Sequence, residues 1–94
     1  MYQINWLPEA RDDLERLYDF LQPHSKTAAQ KAIMTLIQAV DTLKDFPEKG
    51  RPWPADRNFR ELSVRFSAKG YSIRYRIHEN TILIVRIWHM LAEQ

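Results

Sequence analysis

Three features of the sequence predict an α+β domain with the order β-α-α-β-β-β. Apolar residues recur at helical spacing between residues 8 and 46, and alternate with polar ones between residues 59 and 89. Pro23, Pro47 and Gly50 fall between these blocks, where they punctuate elements rather than break them. A chain of 94 residues, 45% hydrophobic and 28% charged, has enough apolar surface for one modest core, so residues 1–94 are expected to form one domain.

The elements follow in order. Tyr2, Ile4 and Trp6 alternate with Gln3 and Asn5, the pattern of a short strand. Pro8 suits a first helical turn. Ala10, Leu14, Leu17, Tyr18 and Leu21 continue at helical spacing, with Glu9, Asp12 and Asp13 near the positive end of the helix dipole. Pro23 ends that helix, and Ser25 or Thr27 caps a second. The second helix carries the stripe Ala29, Ile33, Leu36, Ile37, Val40, Leu43 and Phe46, and stops at Pro47 and Gly50. After a turn-rich loop over residues 47–54, strands are expected at Phe59–Phe66, Tyr71–His78 and Thr81–His89. Their short links suit antiparallel hairpins, so the helical hairpin should cover one face of an antiparallel sheet.

Several function classes are excluded. There is no cysteine, so neither a disulfide scaffold nor a thiolate metal site is available, and a reducing cytoplasm is the expected compartment. The opening Met1–Trp6 lacks the basic and apolar regions of a signal peptide, and the aliphatic run Ile82–Val85 is too short to span a bilayer. The three histidines are scattered, so no metal site is expected. Gly50 and Gly70 alone cannot build a phosphate-binding loop, and nothing implies a cofactor.

The charge is unevenly placed. Residues 1–50 sum to −2 and residues 51–94 to +4, with arginine supplying seven of the eight positive charges in the second half. Arginine forks make two-point contacts with carboxylates and phosphates that lysine cannot. Strict alternation along the strands sends Arg65, Arg74, Arg76 and Arg86 to the face away from the helices, beside Ile84 and Trp88, with His89 at the rim. Mixed arginine, aromatic and aliphatic character is that of a recognition face, for protein or for RNA. A purely structural alternative has Arg86 paired with Glu61 across the sheet.

These residues resemble the RelE/ParE superfamily of type II toxins along nearly the whole chain. The likeness lies in Ile4-Asn5-Trp6-Leu7-Pro8-Glu9-Ala10-Arg11-Asp12-Asp13-Leu14, in Leu43-Lys44-Asp45-Phe46-Pro47 followed by Gly50-Arg51-Pro52, in Phe59-Arg60-Glu61-Leu62, in Gly70–Arg76 and in Ile84-Val85-Arg86-Ile87-Trp88-His89. The resemblance implies a cytoplasmic toxin with a cognate antitoxin as partner. In one branch the target is the ribosome with its mRNA, cut by an acid/base pair. Members that use such a pair carry a loop glutamate, a middle-strand arginine and a histidine ending the last strand. Here the corresponding positions hold Trp53, Ser72 and His89. Other ribonuclease members use arginine and lysine clusters, which would leave His89, Arg86 and Arg51 as the catalytic candidates. The ParE-like branch poisons DNA gyrase without being a nuclease, and the two replacements favour it. An inactive or differently targeted relative is the third reading. The loop residues Arg51 and Trp53 are further binding candidates.

Overall fold

The structure, a computed structural model, describes residues 1–90. Its elements are β1 (Gln3–Trp6), α1 (Pro8–Leu21), α2 (Lys26–Asp41) with a 3₁₀ turn at Thr42–Lys44, β2 (Arg51–Trp53), β3 (Asp56–Phe66), β4 (Lys69–His78) and β5 (Thr81–His89). Among the described residues no helix is long and apolar enough to cross a membrane.

Local chemistry sets the helix ends. Pro8 opens α1, where its missing N–H costs nothing, and Pro23 lies two residues past the last helical one. Ser25 caps α2, its hydroxyl accepting from the Ala28 amide at 3.1 Å. The apolar stripe of α2 is narrower than expected. Ala29, Ala32, Leu36, Val40 and Leu43 are buried, whereas Ile37 and Phe46 lie largely in solvent. Those two flank the stripe and meet no facing layer.

The sheet has five strands in the order β1-β5-β4-β3-β2. Three pairings are antiparallel, as expected, but β1 runs parallel to β5, so the sheet is mixed. Each hairpin reverses the chain, and the parity of those reversals returns β5 alongside β1 in the same direction. The loop after α2 also holds a strand that alternation did not reveal, because β2 is only three residues long and contains Pro52. Proline is tolerated there because β2 is an edge strand.

The helical hairpin covers one face of this sheet. Ala10 of α1, Leu36 and Val40 of α2, and Leu43 of the 3₁₀ turn pack against Leu62, Val64, Tyr71, Ile73, Tyr75, Ile82, Ile84 and Ile87. The hairpins β3–β4 and β4–β5 turn tightly through Ser67 and Glu79, whose φ angles of 57° and 55° lie in the left-handed region.

Candidate recognition face

Strand β4 organises both faces. Tyr71, Ile73 and Tyr75 point into the core, so Ser72, Arg74 and Arg76 between them point away from the helices. Directly opposite residues share a face, so Glu61 of β3 lies beside Arg74 and Trp88 of β5 beside Ser72. The Arg74 guanidinium is sandwiched between two indoles, 3.5 Å from the Trp53 ring centre and 4.5 Å from that of Trp88. Its Nη2 donates to Glu61 Oε2 at 2.8 Å, and both side chains are nearly buried, at 15% and 8% exposure. One strand position along, Arg76 sits 5.7 Å from the Phe59 ring centre, and Phe59 meets Trp53 edge to face.

The core side of the same strand holds Trp53 in place. The Tyr75 hydroxyl donates to the Pro47 carbonyl at 2.7 Å and accepts from the Gly50 amide at 2.9 Å. Arg60 donates to the Gly50 carbonyl at 2.6 Å. A Cβ on Gly50 would lie 2.7 Å from the Tyr75 ring and 2.9 Å from the Glu61 carbonyl oxygen, so only glycine lets the chain pass here. Burial pushes the Tyr75 phenol above its ordinary value, against the opposing hydrogen bond from Gly50 and the charge of Arg60.

Several donors on this face lack acceptors. Arg74 Nε, Arg76 Nε and Trp88 Nε1 are buried without a hydrogen-bond partner among the described residues. Arg65, opposite Gly70, and Arg51, opposite Glu61, extend the cationic surface and are exposed. Four of the residues expected here from alternation, Arg65, Arg74, Arg76 and Trp88, are therefore together, and the loop candidate Trp53 joins them.

Three others, Ile84, Arg86 and His89, are elsewhere: a bulge moves Ile84, Asp13 draws off the Arg86 side chain, and His89 lies opposite Tyr71. The β4–β5 register shifts between Arg74, opposite Arg86, and Tyr75, opposite Ile84, so Val85 is an inserted bulge residue. The insertion puts Ile82 and Ile84 before it in the inner phase, while Arg86 and Trp88 after it keep the outer one. Ile82 and Ile84 are fully buried in the core, so Ile84 has no place on an outer surface. Arg86 turns towards α1, where its Nε meets Asp13 Oδ2 at 2.8 Å, and the carboxylate raises the guanidinium pKa further above its ordinary value. The pairing of Arg86 with Glu61 is likewise replaced, since Glu61 takes Arg74. His89 lies opposite Tyr71 and packs edge-on to its ring at 5.4 Å. It therefore lines a groove of about 530 Å³ between α1 and the end of β5, with Leu17, Phe20 and Leu21.

Asp13, read from the sequence only as a charge near the helix dipole, is the important residue whose role the sequence reading missed. It is buried on α1 and accepts from Arg86 Nε and Nη2, from the Ile87 amide at 2.8 Å and from Arg16 at 3.2 Å. β1 stops pairing at Ile84, and the Asp13 carboxylate takes over the next free amide of the strand edge. Its signal in the sequence is a carboxylate at position 13 inside the buried stripe Ala10, Leu14, Leu17.

Residues 4–92 match the model of the ParE toxin of the type II toxin–antitoxin system parDE. The chain belongs to the ParE toxin family, within the RelE/ParE superfamily. It is 36% identical to toxin RelE3 of Caulobacter vibrioides over 94 residues, the whole length of both chains. Its fold superimposes on the chromosomal ParDE toxin–antitoxin system from P. aeruginosa with a TM-score of 0.80 at 25% identity, covering 95% of this chain and 96% of that one. The toxin–antitoxin complex RelBE2 from Mycobacterium tuberculosis shares the fold at 22% identity, with a TM-score of 0.66 over 94% of this chain and 96% of that one.

This toxin thus has relatives named for both branches. The candidates for nucleolysis are dispersed. Arg51 is on β2 and His89 on β5, three strand spacings apart in the sheet order, or roughly 14 Å. Arg86 is bound to Asp13 on the helical side. Among the described residues no group of three or more His, Asp or Glu is placed to hold a metal ion.

Proposed function

We propose that this toxin arrests growth by poisoning DNA gyrase in the cytoplasm and is neutralised by a cognate antitoxin. The observation that carries the reading is the fate of the acid/base positions. Trp53 stands where ribonuclease members place a carboxylate, and its indole is stacked on Arg74 rather than open to a substrate. Ser72 stands at the middle-strand arginine position and is buried. His89 packs on Tyr71 on the other side of the sheet, away from both. A general acid and base act only within hydrogen-bond reach of the same reacting atoms. These residues do not share such a point. The antitoxin is supported by the assembly of the P. aeruginosa and M. tuberculosis neighbours with theirs.

One pair of assays tests this directly. Purified toxin should inhibit gyrase supercoiling with cleaved DNA accumulating, and should leave mRNA on ribosomes intact. Site-specific mRNA cuts with unimpaired supercoiling would reverse the assignment. Induced alone in bacteria, the toxin should stop growth, and co-expression of the antitoxin encoded beside it should restore growth.

A further inference from the structure

We propose that the arginine–tryptophan face of the sheet is a docking surface for an acidic protein segment of the target, and not for nucleic acid. This rests on the reading of the chain as a toxin of a protein target, and it names the chemistry of the contact.

The first ground is charge and hydrogen-bond complementarity. Arg51, Arg65, Arg74 and Arg76 face outward from the sheet, with Glu61 the carboxylate paired among them. The guanidinium groups outnumber the one carboxylate among them, and a face with surplus positive charge is completed by a ligand that brings acceptor oxygens. The Arg74–Glu61 contact at 2.8 Å shows the chemistry in miniature, with a carboxylate seated on a guanidinium between indole walls.

The second ground separates protein from nucleic acid. Single strands bind by stacking bases on free aromatic faces. Here the rings are already engaged: Arg74 lies against both Trp53 and Trp88, and Arg76 lies over Phe59. Arg74 is itself too buried to track a phosphate backbone. What remains exposed is the margin of that aromatic centre, with Arg51 and Arg65. A desolvated aromatic centre with a charged rim is how protein interfaces are built.

The experiment uses the intact toxin, labelled with ¹⁵N, titrated with a glutamate-rich peptide and separately with a single-stranded RNA of equal charge, at matched ionic strength. Trp53 and Trp88 lie on the face, while Trp6 packs against the core and serves as an internal reference. The peptide should move the Trp53 and Trp88 indole resonances, leave that of Trp6 in place, and bind more tightly than the RNA. Arg76→Glu and Arg65→Glu should each weaken peptide binding about tenfold or more, and Lys31→Glu on the exposed side of α2 should not. A thermal melt of each variant confirms folding, and Arg65, being exposed, is the safer of the two. Tighter RNA binding, no peptide binding, or peptide shifts at Trp6 alone would each overturn the proposal. The gyrase reading fails separately. If Arg76→Glu abolishes gyrase inhibition although the peptide never binds, the acidic partner is wrong and the target stands. If peptide binding is lost while inhibition persists, this face is not the gyrase contact.

Discussion

Replacing Asp13 by alanine should be more damaging than replacing its partner Arg86, although both substitutions break the same ion pair. The Asp13 side chain is 5% exposed and Arg86 is 49% exposed. Asp13→Ala removes the acceptor of the Ile87 amide, and a buried donor left without an acceptor costs about 1–3 kcal/mol. The loss of the half-exposed Arg86 contact adds at most ~1 kcal/mol, because water replaces it. Arg16, 67% exposed, adds little. Alanine's better helix propensity offsets up to ~0.7 kcal/mol. The net cost is about 2–3 kcal/mol. In a domain of this size each kcal/mol lowers Tm by ~4–8 °C, so Asp13→Ala should melt roughly 10–20 °C below the parent. Arg86→Ala leaves the buried Asp13 carboxylate still held by the Ile87 amide and by Arg16, so it should cost about 1–2 kcal/mol, less than Asp13→Ala. Asp13→Asn keeps an oxygen for the amide and should fall between the two. Thermal and urea denaturation measure all three. If Arg86→Ala melts as low as Asp13→Ala, then the strand-edge cap is not what Asp13 contributes, and the charge pair is.

Three further outcomes follow from the geometry. Gly50→Ala forces a Cβ against Tyr75 and the Glu61 carbonyl, and should cost about 1–3 kcal/mol in denaturant melts while displacing the Trp53 loop, seen as altered tryptophan fluorescence. Glu79→Gly relieves a left-handed backbone at φ 55°, worth ~1–2 kcal/mol, against ~0.5–1 kcal/mol for glycine's extra chain entropy, so the turn variant should match or exceed the parent's stability. Tyr75 gives a pH dependence. Its phenol pKa is raised above the ordinary 10.0 in the fold, so the unfolded chain releases that proton first. Stability is full below pH 10 and falls as pH climbs through the raised folded value. Tyr75→Phe should be less stable than the parent at neutral pH, because it strips the Pro47 carbonyl and the Gly50 amide of their partner, yet should lose less on going from pH 9 to 11.

Much of this molecule is legible from periodicity, and the misreadings have one kind of cause. Helix boundaries follow from Pro8, Pro23 and Ser25, since these residues act on their own local backbone. The face carried by β4 is legible for the same reason: Tyr71 to His78 alternate without interruption. β5 is not, because a single inserted residue puts Ile82 and Ile84 in the opposite phase from Arg86 and Trp88, so one strict alternation cannot place both pairs. The inversion does leave a trace. Apolar residues at 82, 84 and 87 follow one phase up to Ile84 and the other from Ile87, which is the pattern of a bulge at Val85. Asp13 and Tyr75 are harder cases. Their importance lies in contacts 74 and 28 residues distant along the chain, and such contacts leave no periodic signature.

The two faces of β4 also determine which substitutions report on function. Tyr71, Ile73 and Tyr75 hold the core, and Tyr75 also fixes the loop that delivers Trp53. Arg74 lies on the outer face but is bound into the same framework through Glu61, Trp53 and Trp88. Truncating it would leave Glu61 as a buried carboxylate without its partner, a defect that costs about 3–5 kcal/mol in other buried pairs. Loss of toxicity in Arg74→Ala would therefore not distinguish a missing contact from a damaged sheet. Arg76 is paired with no carboxylate among the described residues and lies over the Phe59 ring. Arg65 is exposed on the same face. If the face acts through recognition, Arg65→Glu and Arg76→Glu should abolish growth arrest at unchanged Tm. Arrest that persists in both, with both folded, would move the target contact off this face and onto the groove between α1 and β5 where His89 lies.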